Sequence, residues 1–181
     1  DLQTQTNWTD GENSIEEMAL AAAKAGLEYI AITDHTVSLA MTGGLDEKKL
    51  AHQMEEIKRV NAGLQKKKIN CSVLTGAEVN IMKDGSLDMT DAMLAKLDVV
   101  GASVHSHFRL SRKEQTARVI RAIENPHVDI IFHLTGRLIN KREPIDVDID
   151  AIIAAAKRTN TILEINASPD RLDIKDEYIR K

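Results

Sequence analysis

The sequence predicts a parallel α/β protein, and three features carry that expectation. Short strand-like runs alternate repeatedly with one-sided helical patterns, the runs are apolar on both faces, and no low-complexity linker or shift of composition divides them. The opening residues, "DLQTQTNWTDG", read as a strand that breaks at an Asp10-Gly11 turn. "SIEE" (14–17) has the form of a capping box, and an Ala-rich run follows to Gly26, giving a first helix stopped by glycine. "EYIAIT" (28–33) is apolar enough for a strand covered on both faces and ends in the polar "TDH". From Asp46 to Lys67, the series Leu50, Met54, Ile57, Val60, Leu64 keeps a helical period with charges between.

The same alternation continues to the far end. "CSVLTGAEVNI" (71–81) predicts a strand, "KDG" a turn, "TDAMLAKL" (90–97) a short helix, and "DVVGASVH" (98–105) another strand. Ser111 and Glu114 repeat the capping-box spacing ahead of a helix that ends near Asn125-Pro126, and "VDIIFH" (128–133) is again a strand. A polar loop from Leu134 to Val147 leads into the helix "DIDAIIAAAKRT" (148–159), and "TILEIN" (161–166) is the last clear strand.

Composition bounds the function. A chain of 181 residues, 43% hydrophobic and 29% charged, is sized for one domain with a substantial core, here residues 1–181, and contains no apolar run long enough for a membrane helix. A lone cysteine rules out an internal disulfide framework, no charged-then-apolar leader opens the chain, and a reducing cytoplasmic location is the expectation. Cys71 reads as a small buried strand residue, since no basic neighbour in sequence would lower its pKa. The net charge of -4 argues against a broad electropositive face for nucleic acid, so a phosphate-bearing partner would be met locally by metals or a few arginines. The absence of an initial methionine and the start inside an apparent strand suggest a piece of a longer chain.

Either an open doubly wound sheet or a closed βα barrel satisfies the alternation. The strand ends favour the barrel. An open sheet gathers ligands at one switch point, whereas here nearly every strand finishes in residues fit for metal or phosphate chemistry: Gln3 and Gln5, Asp34 and His35, Glu78, His105 and His107, His133, Glu164 and Asn166. One histidine at a strand end has a bland explanation as a hydrogen-bonded structural residue. A succession of them does not, because such groups gathered in one mouth are costly to desolvate without a cation or substrate. By contrast His52 reads as a helix-surface residue, His127 as a turn residue, and the six methionines as core filling. The charges at 66–68 and 141–143 read as solvated, with Arg142 near enough to a ligand-bearing strand to reach substrate.

No Gly-x-Gly-x-x-Gly or Walker-type motif supports nucleotide binding. Imidazoles mixed with carboxylates, without thiolates, suit Mn, Zn or Fe better than Ca. Such an ion acidifies water and holds phosphoryl oxygens, and Arg137 and Arg171, in loops after strands, could fork onto the same oxygens or form structural salt bridges.

The stretches "WTDGENSIEEMALAA", "YIAITDHT", "LTGAEVNI", "DGSLDM", "ASVHSHF", "ENPHVDIIFHLTGR" and "LEINASPDRLDI", in order and across essentially the whole chain, resemble the PHP (polymerase and histidinol phosphatase) domain of bacterial and archaeal family X DNA polymerases. The resemblance implies a distorted seven-stranded βα barrel, here without its last strand, and a cluster of divalent metals. It also implies a manganese-favouring 3′ to 5′ exonuclease or 3′-end phosphoesterase, acting on DNA in repair beside an upstream polymerase domain. Asp10, His35, Glu78, His105 and His133 match the family's metal ligands, with Glu78 bridging and Glu78, His105 and His133 central to catalysis. Arg137, Arg171 and His107 are the candidates for substrate phosphate.

Gln3 and Gln5 stand where the family usually has His-x-His, exchanging imidazole nitrogens for weak amide donors. That departure predicts an incomplete cluster and lowered activity, and raises the alternative of a non-catalytic scaffold for the polymerase core. A small-molecule phosphatase of the histidinol phosphate kind is the third expectation. Leu134 replaces a usual proline and Asn80 a common aspartate, and neither is expected to touch a ligand.

Overall fold

Why each helix starts where it does is visible in its first turn. The computed structural model describes residues 1–38 and 43–180, so Met41, among the methionines expected in the core, lies outside the described residues. Helix α1 (Ile15–Lys24) opens with the full capping box, Ser14 accepting from the Glu17 amide and Glu17 accepting from the Ser14 amide, which holds the Glu17 carboxyl below its ordinary pKa. Asp46 caps α2 (Glu47–Lys66) through the Lys49 amide. Helix α3 is the short Asp91–Leu94 segment, less than the sequence predicted. Ser111 and Glu114 form the second capping box at α4 (Arg112–Ile123), and Asp148 caps α5 (Ile149–Thr159), which ends on Asn160 in the left-handed region. A short α6 (Asp176–Ile179) was not expected.

The strands are β1 (Tyr29–Ile32), β2 (Ser72–Asn80), β3 (Val99–Ser103), β4 (Ile130–Ile131) and β5 (Ile162–Leu163). They form one five-stranded sheet in sequence order, β1-β2-β3-β4-β5, in which β1 pairs parallel with β2 (Tyr29 opposite Ser72), β3 with β4 (Gly101 opposite Ile130) and β4 with β5 (Ile130 opposite Ile162). The α/β class and the parallel alternation therefore match the sequence reading. The opening strand does not appear as one. The first residues lie along β1, with the Ala31 and Thr33 amides donating to the Asp1 and Thr4 carbonyls, but only Thr4 forms a bridge, with Ile32, because the Thr4 amide turns to Thr33 Oγ1 and Thr4 Oγ1 donates to the Ala31 carbonyl.

Contacts gather the chain into two compact units, Asp1–Glu78 with Met89–Val100, and Val79–Asp88 with Gly101–Lys181. In the first, α1 and α2 lay Ile15, Ala19, Ile57 and Leu64 against Ile30, Ile32 and Val73, with Cys71 buried beside them. Burial pushes the Cys71 thiol pKa up, in line with an unreactive strand-edge residue. His52, on α2, is exposed as expected.

In the second unit, α4 packs on α5 and α5 on β5, burying Val119, Ala122, Ile123, Ile152 and Ala155. His127 sits in the turn after α4. Gly101, on β3, is required by Phe132: a Cβ there would lie 1.9 Å from the Phe132 ring, which is 1% exposed. Gly101→Ala should therefore cost about 1–3 kcal/mol in urea unfolding, the usual penalty for overpacking. Phe132→Leu combined with Gly101→Ala should recover part of that loss, a coupling that a double-mutant cycle reads directly.

Candidate metal centre

The polar groups of the first unit are arranged around two buried carboxylates with different tasks. Asp34, just past β1, is fully buried and saturated by donors: the Thr6 amide (2.7 Å), Thr6 Oγ1 (2.6 Å), Thr9 Oγ1 (2.5 Å) and Gln53 Nε2 (2.7 Å). With its lone pairs committed, Asp34 acts as a staple joining the opening loop, the end of β1 and α2. Gly11 completes the loop, since a Cβ there would lie 2.4 Å from the Gln5 carbonyl oxygen. The staple sets the positions of Gln5 and Asp10 on either side of it.

Glu78, near the end of β2, is 1% exposed. The β1–β2 ladder runs on past β1: the Glu78 amide donates to the Asp34 carbonyl, and the Thr36 amide donates to the Glu78 carbonyl. His35 and Glu78 are thereby bridge partners with adjacent side chains. His35 Nδ1 lies 3.7 Å from Glu78 Oε2, and His35 Nε2 lies 3.7 Å from Asp10 Oδ2. Both spacings are too long for hydrogen bonds, and each fits a pair of donors either side of an ion, since ligand atoms about 2 Å from a metal sit about 3–4 Å from each other; the two ring nitrogens face opposite ways, so the Glu78 and Asp10 pairs address different positions. Gln3 Nε2 (3.2 Å) and Gln5 Nε2 (3.1 Å) both donate to Glu78 Oε2, and Gln5 Nε2 also reaches the Thr33 carbonyl (3.3 Å).

In the second unit, His105 follows β3 and His133 follows β4. Their rings meet edge to face with centroids 5.3 Å apart. His105 Nδ1 lies 2.8 Å from Asn80 Oδ1. The expectation that Asn80 touches no ligand candidate is thus corrected: the ladder places residue 80 beside the end of β3, where the Ile81 amide donates to the Ser103 carbonyl. The His133 amide donates to Glu164 Oε2 at 2.6 Å, and Asn166 Nδ2 approaches the same carboxylate. Glu164 and Asn166, strand-end residues in the sequence, therefore support the His133 backbone.

The arginines are placed less simply. Arg137 Nε donates to the Arg171 carbonyl (2.6 Å) and its Nη2 to the Leu172 carbonyl (2.5 Å), so its fork holds backbone. Arg171 is half-buried, and its Nη1 has no hydrogen-bond partner among the described residues. Arg142 lies over the Phe108 ring at 4.3 Å and donates from Nε to the Gly136 carbonyl. His107 is exposed at positive φ, its carbonyl taken by Gln115 Nε2.

One residue escaped the sequence reading. Arg118, 1% exposed on α4, donates from Nε to Gln115 Oε1 and from Nη2 to the Ser106 carbonyl, pinning the loop between His105 and His107. Burial lowers its pKa. Its signal was positional: Gln115 and Arg118 share the stripe of Val119 and Ala122, where a surface helix is normally apolar.

The PHP domain profile matches residues 1–168. The chain is 44% identical over 181 residues to a Bacillus subtilis protein named "DNA polymerase/3'-5' exonuclease PolX", covering all of this chain and 31% of that one. It is 34% identical over 165 residues to a "Probable phosphatase" of Thermoanaerobacter sp. (strain X514), covering 86% of this chain and 59% of the relative. A "Probable phosphatase" of Acetivibrio thermocellus is 35% identical over 159 residues, with 85% and 58% covered. The chain thus spans about a third of the polymerase relative and under two thirds of the phosphatases. No helix among the described residues is long and apolar enough to cross a membrane. The profile match, the whole-chain identity and the imidazole and carboxylate groups at successive strand ends together show that this chain belongs to the PHP domain family.

Proposed function

We propose that this chain is the phosphoesterase part of a family X DNA polymerase, hydrolysing phosphate esters at DNA 3′ ends with 3′ to 5′ polarity during repair in the cytoplasm. An upstream polymerase domain in the same chain is its partner. In this reading residues 1–181 form a single domain, and the parallel sheet is part of a distorted seven-stranded βα barrel. The observation that carries the proposal is Glu78, a carboxylate 1% exposed with the His35 imidazole 3.7 Å from its Oε2 and Asp10 on the far side of that ring.

Asp10, His35, Glu78, His105 and His133, which stand at the ligand positions of the family's motifs, are the side chains proposed to hold divalent metal ions. When bound, Mn, Zn or Fe supplies Lewis-acid polarisation of a phosphoryl oxygen and acidifies water. Glu78 contributes the buried negative charge that attracts the cation, and the imidazoles contribute neutral nitrogen donors. Arg171 and His107 neutralise substrate phosphate, while Arg137 holds the Arg171–Leu172 backbone from which Arg171 acts.

The amides of Gln3 and Gln5 lower this activity, because both donate to the Glu78 oxygen that an ion needs. Hydrogen bonds to a charged group are worth about 1.5–3 kcal/mol each, and about 1.4 kcal/mol is tenfold in affinity. The same amides favour a second reading, a scaffold for the polymerase in which Glu78 is satisfied without a metal.

Manganese-dependent hydrolysis of a 3′-tailed oligonucleotide, measured with metal content, tests the first reading. Slow turnover is expected, abolished by His133→Ala. Gln3→His with Gln5→His should tighten manganese binding about tenfold or more and raise turnover. If neither the natural chain nor the double variant binds metal or cleaves DNA ends or histidinol phosphate, the scaffold reading stands instead.

A further inference from the structure

The Asn80 contact with His105 extends one residue further. Asp88 Oδ1 accepts the Asn80 backbone amide (2.8 Å) and Asp88 Oδ2 accepts Asn80 Nδ2 (2.7 Å). Asn80 is 4% exposed, so its side chain is held from two directions in a place where water offers little substitute. A carboxylate only accepts, so Asp88 fixes which end of the Asn80 amide faces it: the Nδ2 donor. The oxygen, Oδ1, is left facing His105 Nδ1 at 2.8 Å. An oxygen acceptor at that distance requires the proton on Nδ1, which leaves the lone pair of the neutral ring on Nε2.

We infer that Asp88 and Asn80 form a relay that presets the tautomer of His105, so that this imidazole meets a cation through Nε2. The inference rests on the metal-binding reading given above for its consequence, but the tautomer itself is a property of the metal-free chain. Asp88 acts on His105 through Asn80, which makes both positioning residues. The relay also explains how a neutral amide serves at position 80: the direction of its dipole, which it could reverse by a half-turn at no covalent cost, is set by the carboxylate behind it.

Asp88→Asn tests the direction of the relay with almost no change in size. The introduced amide can offer an N–H to Asn80, which then turns its Oδ1 towards position 88 and its Nδ2 towards His105. His105 Nδ1 becomes an acceptor, and the proton moves to Nε2. Long-range proton–nitrogen NMR of the metal-free chain above pH 8 reads the tautomer, and calorimetric titration with Mn²⁺ or Zn²⁺ reads its consequence. Natural chain in the Nδ1–H form, with Asp88→Asn shifted towards Nε2–H and metal bound about 10–100-fold more weakly, is the expected result.

A natural chain with His105 in the Nε2–H form overturns the relay, and so does a folded Asp88→Asn variant whose tautomer is unchanged. If Asp88→Asn does not fold, the tautomer of the natural chain alone decides. A tautomer that shifts as expected in a chain that binds no metal at all upholds the relay and overturns the metal-binding reading.

Discussion

The Glu78 carboxylate cannot be left alone. At 1% exposed it has lost nearly all contact with water, and a buried carboxylate without partners costs several kcal/mol. The first unit answers that demand with Gln3 and Gln5 donating to Oε2 and the His35 ring alongside. Strand β2 is what makes the demand possible, because its parallel ladder with β1 continues past the regular strand and fixes Glu78 opposite His35. Everything proposed about cations is a statement about which partners this one oxygen accepts.

A neighbouring carboxylate shows the contrast. Asp34 is as deeply buried but fully occupied by hydroxyl, amide and glutamine donors, so it serves as a staple and leaves no lone pair for an ion. Asp34 and His35 are adjacent in sequence, yet the alternation of side chains along an extended backbone turns one towards the Thr6 loop and the other towards Glu78. In the second unit the support is equally indirect. Glu164 holds the His133 amide, Arg118 holds the Ser106 carbonyl, and Asn80 holds His105. The groups around the candidate ligands outnumber the ligands, which is what fixed imidazole orientation requires.

Much of the fold was legible before any coordinates. The capping boxes at Ser14 and Ser111 and the apolar stripe of α2 are local features, decided by residues within a turn or two, and they appear where the sequence put them. The opening segment falls short of a regular strand because the Thr4 amide is diverted to the Thr33 hydroxyl while the Asp1 and Thr4 carbonyls still accept backbone amides, a local exchange that alternation does not reveal. Arg118 was missed because a charged residue on a helix reads as solvated until the burial of its stripe is known.

The sequence alone determined the parallel α/β class, the helix starts and the family to which Asp10, His35, Glu78, His105 and His133 belong, since periodicity, capping and motif order are written in neighbouring residues. Only tertiary structure decided what those residues face. That Gln3 and Gln5 point their N–H groups at Glu78, that Asp34 is filled, and that Asp88 reaches His105 through Asn80 all depend on side chains distant in the chain meeting at one hydrogen-bond length. Those pairings are set by strand register, in which a shift of one residue turns every side chain to the opposite face.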